Sequence, residues 1–371
     1  MTGEHTDFDS LAFLEESVAI PSHPDAGVER MRALLVDTLE EHGFDPSVDS
    51  AGNVLVTRTD GSSPSRSYVL NTHIDTVSPH VPLEVTDDEI RGRGSCDAKG
   101  QVATLLGAFL TADLEDTQVT LAITPDEEIL STGAHALVEE NIDLFDEADA
   151  VIVGEPTGLD VCTAAKGRFE GTITLSGANA HAAEPQSGVN AISALEGVLG
   201  ALETFDARSD APPVHPQLGA PTLTPTVVEG GDATNQVPDA VRLIVDRRSV
   251  PPETTTDFRT ALLAHLRDSV PDGVGVDFAF TERPTPFLEA WETDASVPVV
   301  ETLQSACGGD VRPFSAATEA SYFAAHAPTV VFGPGVLADD EGAVAHSPRE
   351  YVRTADVLEA VSAVRSVLES A

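Results

Sequence analysis

Six side chains able to bind a cation or move a proton stand in short, distinctive texts. They are His73 in NTHIDTV (71–77), Asp97 in GRGSCDAKG (92–100), Glu127 and Glu128 in TPDEE (124–128), Glu155 in GEPT (154–157) and His346 in AHSPREY (345–351). Two histidines with three carboxylates suit zinc, and one carboxylate can bridge two ions. Water on such ions drops in pKa from 15.7 to roughly 7, so it can attack an amide at neutral pH. Of the adjacent Glu127 and Glu128, one can ligate while the other faces the water as general base. Asp75, two residues after His73, is placed to orient that imidazole.

Each text alone has a plainer explanation. His-x-Asp suits a solvated turn, Asp97 in a glycine-rich turn suits a helix N-cap, and paired glutamates are ordinary surface charge. Glu155 resists that treatment, because a carboxylate that ends the apolar run AVIV needs a partner. The order of the texts, and their places after apolar runs, favour one shared metal site.

The elements that must position these groups read as an α/β sheet in the first third of the chain. Apolar runs at 53–58, 68–71, 119–123 and 150–153 predict buried strands, and 26–43 and 101–111 predict helices. His73, Glu127, Glu128 and Glu155 follow such strands, where open α/β sheets gather ligands. From about 167 to 283 the texture changes. GTITLSG, PTLTPTVVEG, AVRLIVDRR and VGVDFAFTER predict strands, with helices at 190–205 and 254–268 and a proline-rich loop at 207–221. A helix near 296–306, a strand at 329–332 and a helix at 355–368 complete the chain. The expected organisation is a catalytic domain built from 1–166 and 284–371, with a mixed sheet flanked by helices, and an inserted α+β domain at 167–283.

Composition narrows the partners. The 371 residues carry 62 acidic against 20 basic side chains, a net charge of −42, while 41% are hydrophobic. Such a chain folds, and its surface repels nucleic acid and anionic membranes. The acidity reads best as a solvated surface for very high salt, where the Debye length is about 3 Å at 1 M and self-repulsion is screened. Lys99 and Lys166 are the only lysines, so structural or site roles are expected of both. Cys96, Cys162 and Cys307 are odd in number and lack CxxC spacing, which suits reduced thiols in a cytoplasm. The acidic start MTGEHTDFDS lacks the regions of a signal peptide, and no apolar run is long enough for a membrane span.

Nearly the whole chain resembles the co-catalytic di-zinc amidohydrolases, the group of acetylornithine deacetylase, succinyl-diaminopimelate desuccinylase, aminoacylase and carboxypeptidase G. Beyond the six texts, the resemblance runs through KGRFEGTITLSGANAHAAEPQSGVNAI, GGDATNQVPDAVRLIVDRR, ATEASYF and GPG. It implies two Zn2+ per subunit, with Co2+ or Mn2+ as alternatives. His73, Asp97 and Glu155 would hold one ion, and Asp97, Glu128 and His346 the other. Glu127 would be general base and Asp75 the orienting carboxylate. The inserted domain would be a lid that forms a homodimer, its His181 reaching a neighbouring active site. Asn235 and Arg248 would contact the carboxylate end of an N-acyl amino acid, with Thr318, Glu319 and Gly335 as further substrate contacts and Glu319 meeting the ammonium of ornithine. Ala98 stands where the family usually has methionine or another residue. ATEA at 317–320 leans toward the acetylornithine deacetylases. Desuccinylation, cleavage of amino acid–carrier-protein conjugates, and carboxypeptidase or dipeptidase action are the alternatives within the class. Outside it stand a hydrolase with Cys96 as nucleophile and His73 as base, and a non-catalytic metabolite binder.

Overall fold

The computed structural model describes residues 8–370, and the first seven residues, part of the start judged for a signal peptide, lie outside them. The described chain forms two compact units: residues 8–164, 292–314 and 318–370 make one, and residues 165–291 with 315–317 make the other.

The first unit is organised by a mixed sheet. Its strands are β1 (Ser47–Val48), β2 (Val54–Thr59), β3 (Arg66–His73), β4 (Thr117–Thr124), β5 (Ala150–Gly154) and β6 (Val161–Ala165). After the second unit come β11 (Trp291–Glu292), β12 (Val311–Phe314) and β13 (Thr329–Phe332). The spatial order is β1-β2-β4-β3-β5-β13-β6-β11, with β12 on β6. β3 runs parallel to both β4 and β5, and β5 parallel to β13, so four carboxyl ends open on one side. Register aligns them, His73 lying opposite Thr124 and Asn71 opposite Val153. Leu70, Ile152 and Val330 join one apolar cluster, while the alternate residues Val69, Val151 and Val331 are also fully buried. Both faces are therefore covered, as the unbroken apolar runs require.

Helices α1 (Ser10–Val18), α2 (Glu29–Glu41), α3 (Lys99–Thr111), α8 (Pro298–Cys307) and α10 (Thr354–Glu369) share that cluster with the sheet. α3 is buried through Leu110 and comes so close to β5 that a Cβ at Gly154 would lie 2.8 Å from the Cβ of Gln101. This approach sets the start of α3, and hence Asp97, beside the strand ends. α1 begins at Asp9, whose carboxylate accepts from Leu11 and Ala12 N–H at 3.0 Å each, a cap worth about 1 kcal/mol. Its C-terminal end receives the buried Lys99 ammonium, which donates to the carbonyls of Ser17 at 3.0 Å and Ile20. A cation suits that end of a helix, and so one of the two lysines has a structural role. Helices α4 (Thr132–Glu140), α5 (Ile142–Asp146) and α9 (Ala320–Phe323) complete the unit, with Phe145 stacked on Phe323.

In the second unit β7 (Gly167–Ser176), β8 (Thr222–Gly230), β9 (Ala240–Ser249) and β10 (Gly275–Phe280) form an antiparallel sheet in the order β8-β9-β7-β10. α6 (Ala191–Thr204) and α7 (Thr255–Arg267) pack on one face through Val198, Leu202, Phe258 and Leu262. A capping box between Thr254 and Asp257 opens α7. The segment after 283 stays with this unit because the Leu288 carbonyl accepts from Arg168 N–H at 2.8 Å and Glu289 accepts from Thr255 N–H at 2.9 Å. The boundary therefore falls at Trp291 and not at 283. Lys166 donates to the Ala220 carbonyl at 2.6 Å. Among the described residues no helix is long and apolar enough to cross a membrane.

Candidate metal centre

His73 ends β3 with only 1% of its surface exposed. Its Nδ1 lies 3.1 Å from Asp75 Oδ1 and 3.2 Å from the Asp75 carbonyl, both of which can only accept. In the neutral ring the proton therefore sits on Nδ1, which leaves the Nε2 lone pair for a metal. That lone pair faces Asp97 Oδ1 at 3.2 Å, yet Nε2 has no hydrogen-bond partner. Two donor atoms so placed and buried suit a shared cation. On the other side, Asp97 Oδ2 lies 3.2 Å from His346 Nε2, which is 2.9 Å from Glu128 Oε1. Asp97 thus offers one oxygen to each histidine. Two groups result, His73–Asp97–Glu155 and Asp97–Glu128–His346, with the ligand atoms of each group within 4.8 Å of one another.

The electrostatics agree. Burial, then the charge of Asp97, pushes the Glu155 carboxyl up to about 8. Burial, then Glu155, raises Glu127 well above the usual carboxylate range, and burial also raises Glu128. Negative charge here is under-compensated. The nearby Lys99 ammonium is held by carbonyls and Arg93 is paired with Glu350. Divalent cations on histidine and carboxylate donors would supply the missing charge.

Asp75 does more than its spacing shows. Beside orienting His73, it accepts from Glu127 N–H at 3.0 Å and Glu128 N–H at 3.1 Å. One carboxylate therefore fixes an imidazole and the backbone under both glutamates. Only the folded loop 124–128, returned beside 73–75 by the β3–β4 pairing, could reveal this.

Thr318 and Glu319, expected to contact substrate, each place one polar atom on a neighbouring group, and Glu319 Oε2 has no hydrogen-bond partner. Thr318 Oγ1 donates to Glu155 Oε1 at 3.0 Å, and Glu319 Oε1 accepts from Thr124 Oγ1 at 2.8 Å. With 1% and 0% exposure they are closed off beneath the ligands. Gly335 is also buried, at φ +77°, where a Cβ would meet Cys96 Sγ at 2.8 Å; it packs the loop after β13 onto the Asp97 turn. The Cys96 alternative fails on burial: the thiol donates to the Val336 carbonyl at 3.3 Å, and desolvation followed by Asp97 pushes it well above its ordinary range.

The second unit holds the other expected residues. His181 lies in a two-stranded ribbon, paired with Gln236, and Ala182 N–H donates at 2.9 Å to the carbonyl of Asn235, in the turn just before the second strand. His181 Nδ1 accepts from Ala183 N–H at 3.1 Å, so the proton of the neutral ring belongs on Nε2. Arg248 is half-exposed and paired with Asp246 at 2.8 Å, whereas the adjacent Arg247 is fully buried against Glu253 and Asp206.

Residues 69–370 match the profile of peptidase family M20/M25/M40. The chain belongs to that family. An acetylornithine deacetylase from Proteus mirabilis is 28% identical over 357 residues, covering 90% of this chain and 88% of the relative. Another from Aliivibrio fischeri is 29% identical over 299 residues, covering 76% of each. Among solved structures, a Staphylococcus aureus tripeptidase superposes with a TM-score of 0.73 at 20% identity, covering 99% of both chains. A dinuclear metal-binding M20 peptidase from Bacillus subtilis gives 0.67 at 15% identity, covering 97% of this chain and 96% of its own. The protein is an M20-family metallo-hydrolase that acts on amide bonds, with a mixed α/β fold and a cluster of histidine and carboxylate donors fit for a metal.

Proposed function

We propose that the protein is a di-zinc amidohydrolase that removes the acyl group from an N-acyl amino acid, with N-acetylornithine as preferred substrate. The carrying observation is the pair of donor groups that share Asp97. His73, Asp97 and Glu155 would hold one ion, and Asp97, Glu128 and His346 the other. When bound, the ions polarise the acyl carbonyl and lower the pKa of the attacking water. The Glu127 carboxylate takes the proton as the water oxygen bonds to the acyl carbon. As the C–N bond breaks, Glu127 gives that proton to the leaving nitrogen. Asp75 holds the backbone beneath the base.

His181 presents its Nε2–H as a donor to the developing oxyanion, and Asn235 and Arg248 bind the substrate carboxylate, Arg248 through its planar fork. The acetylornithine deacetylases among its relatives, and the ATEA text, support the substrate. A homodimer through the second unit, with His181 serving the partner's site, is supported by the unpaired outer edge of β8, where Val227 and Val228 are 45% and 56% exposed. Three free cysteines support a reducing, cytoplasmic setting.

Purified protein assayed in concentrated salt should cleave N-acetylornithine faster than succinyl-diaminopimelate or dipeptides, and a faster dipeptide would overturn the substrate assignment. Glu127→Gln should lose about a thousandfold or more in kcat with both ions retained by elemental analysis. Unchanged turnover removes Glu127 from the chemistry.

A further inference from the structure

We infer that Arg93 and Glu350 are positioning residues for the metal centre, a buried ion pair that sets where Asp97 and His346 meet; this rests on the two-ion reading above. Arg93 stands four residues before Asp97, Glu350 stands four after His346, and each is 1% exposed. Glu350 Oε1 accepts from three backbone N–H groups, of Gly94 at 3.0 Å, Cys96 at 3.2 Å and Asp97 at 3.0 Å. Its Oε2 takes Arg93 Nη1. From the other end, Arg93 Nη2 donates to the His346 carbonyl at 3.3 Å, Nη1 reaches the Ser347 carbonyl at 3.4 Å, and Nε donates to the Pro79 carbonyl at 3.1 Å. Gly92 N–H donates to the Glu350 carbonyl at 3.1 Å and closes the frame.

A short antiparallel pair, Glu89–Arg91 against Tyr351–Arg353, tethers one end of each loop, but Asp97 and His346 lie beyond it. His346 adopts φ +61°, a conformation non-glycine residues rarely keep unless their surroundings impose it. Three N–H groups on one carboxylate oxygen make an anion nest, and charge-assisted bonds of this kind are among the strong ones. Because Arg93 neutralises Glu350, the brace adds no net negative charge beside an already acidic cluster. It grips Asp97 and His346, whereas His73 and Glu155 follow β3 and β5. The two ions should therefore depend on it unequally.

Zinc titration against a chromophoric chelator, with melting temperatures in excess chelator, tests this on wild type, Glu350→Gln and Arg93→Lys. Glutamine keeps an acceptor for the three N–H groups but turns an N–H toward Arg93; lysine keeps the charge and loses the fork. Each variant should bind one of its two ions about tenfold or more weakly and the other, which shares only Asp97 with the brace, with a smaller loss, whatever the shift in chelator-treated melting temperature. If Glu350→Gln gives no folded protein, Arg93→Lys alone decides. Two ions held as tightly as in wild type overturn the inference. So do two ions weakened equally together with a lower chelator-treated melting temperature, since that is a structural role only. Wild-type protein that takes up no zinc overturns the two-ion reading, and this inference with it.

Discussion

Thr318 shows how the fold changes the meaning of a residue. Its hydroxyl bonds Glu155 from behind, so Thr318→Val should weaken zinc binding by up to about tenfold while leaving KM for the substrate nearly unchanged. A KM increase with zinc affinity intact would return Thr318 to the substrate. Protonation offers a second check on the same cluster. Burial pushes Glu155 up to about 8, and hydrogen bonds to Asp97 and Glu128 raise His346 to about 10. At pH 7 both groups therefore carry protons in the metal-free protein, and both must lose them to ligate. Zinc uptake at pH 7 should release protons, and affinity should rise as pH increases through about 8. Calorimetry in buffers of different ionisation enthalpy measures the release, and no net release would contradict the assigned ligands.

At the scale of elements, the parallel trio β4-β3-β5 brings His73, Glu127, Glu128 and Glu155 to one rim, and the turn into α3 adds Asp97. The apolar runs made these strands legible because a sheet covered on both faces leaves little else to read. The structure lengthens β3 to Arg66–His73 and adds α1, α4, α5 and α9, whose short or mixed patterns carry little periodic signal. The unpaired edge of β8 carries the dimer proposal, with Ile192 and Leu199 of α6 also exposed, at 44% and 37%. Val228→Lys should shift the protein from dimer to monomer by light scattering, since a charge on an edge strand blocks pairing. Activity should fall with it if His181 serves the partner's site. A wild-type monomer sinks the proposal directly.

The whole molecule carries a net charge of −42. Raising potassium chloride from 0.1 M to 1 M shortens the Debye length from about 10 Å to about 3 Å, so repulsion across the surface should collapse. The melting temperature should rise steadily over that range, read by circular dichroism. A flat or falling curve would leave the acidity without its high-salt explanation.

The sequence by itself determined the chemistry on offer, because donor types and the apolar runs before them are local properties. It also placed the change of texture near 167, since alternating strands on a one-sided sheet look different from buried parallel ones. What braces those acidic groups was decided only by the folded chain. Asp75 under the two glutamates, Thr318 behind Glu155, and Glu350 across from Asp97 are contacts between residues 52 to 253 positions apart. Spacing along a chain says nothing about such distances; strand register and loop closure set them.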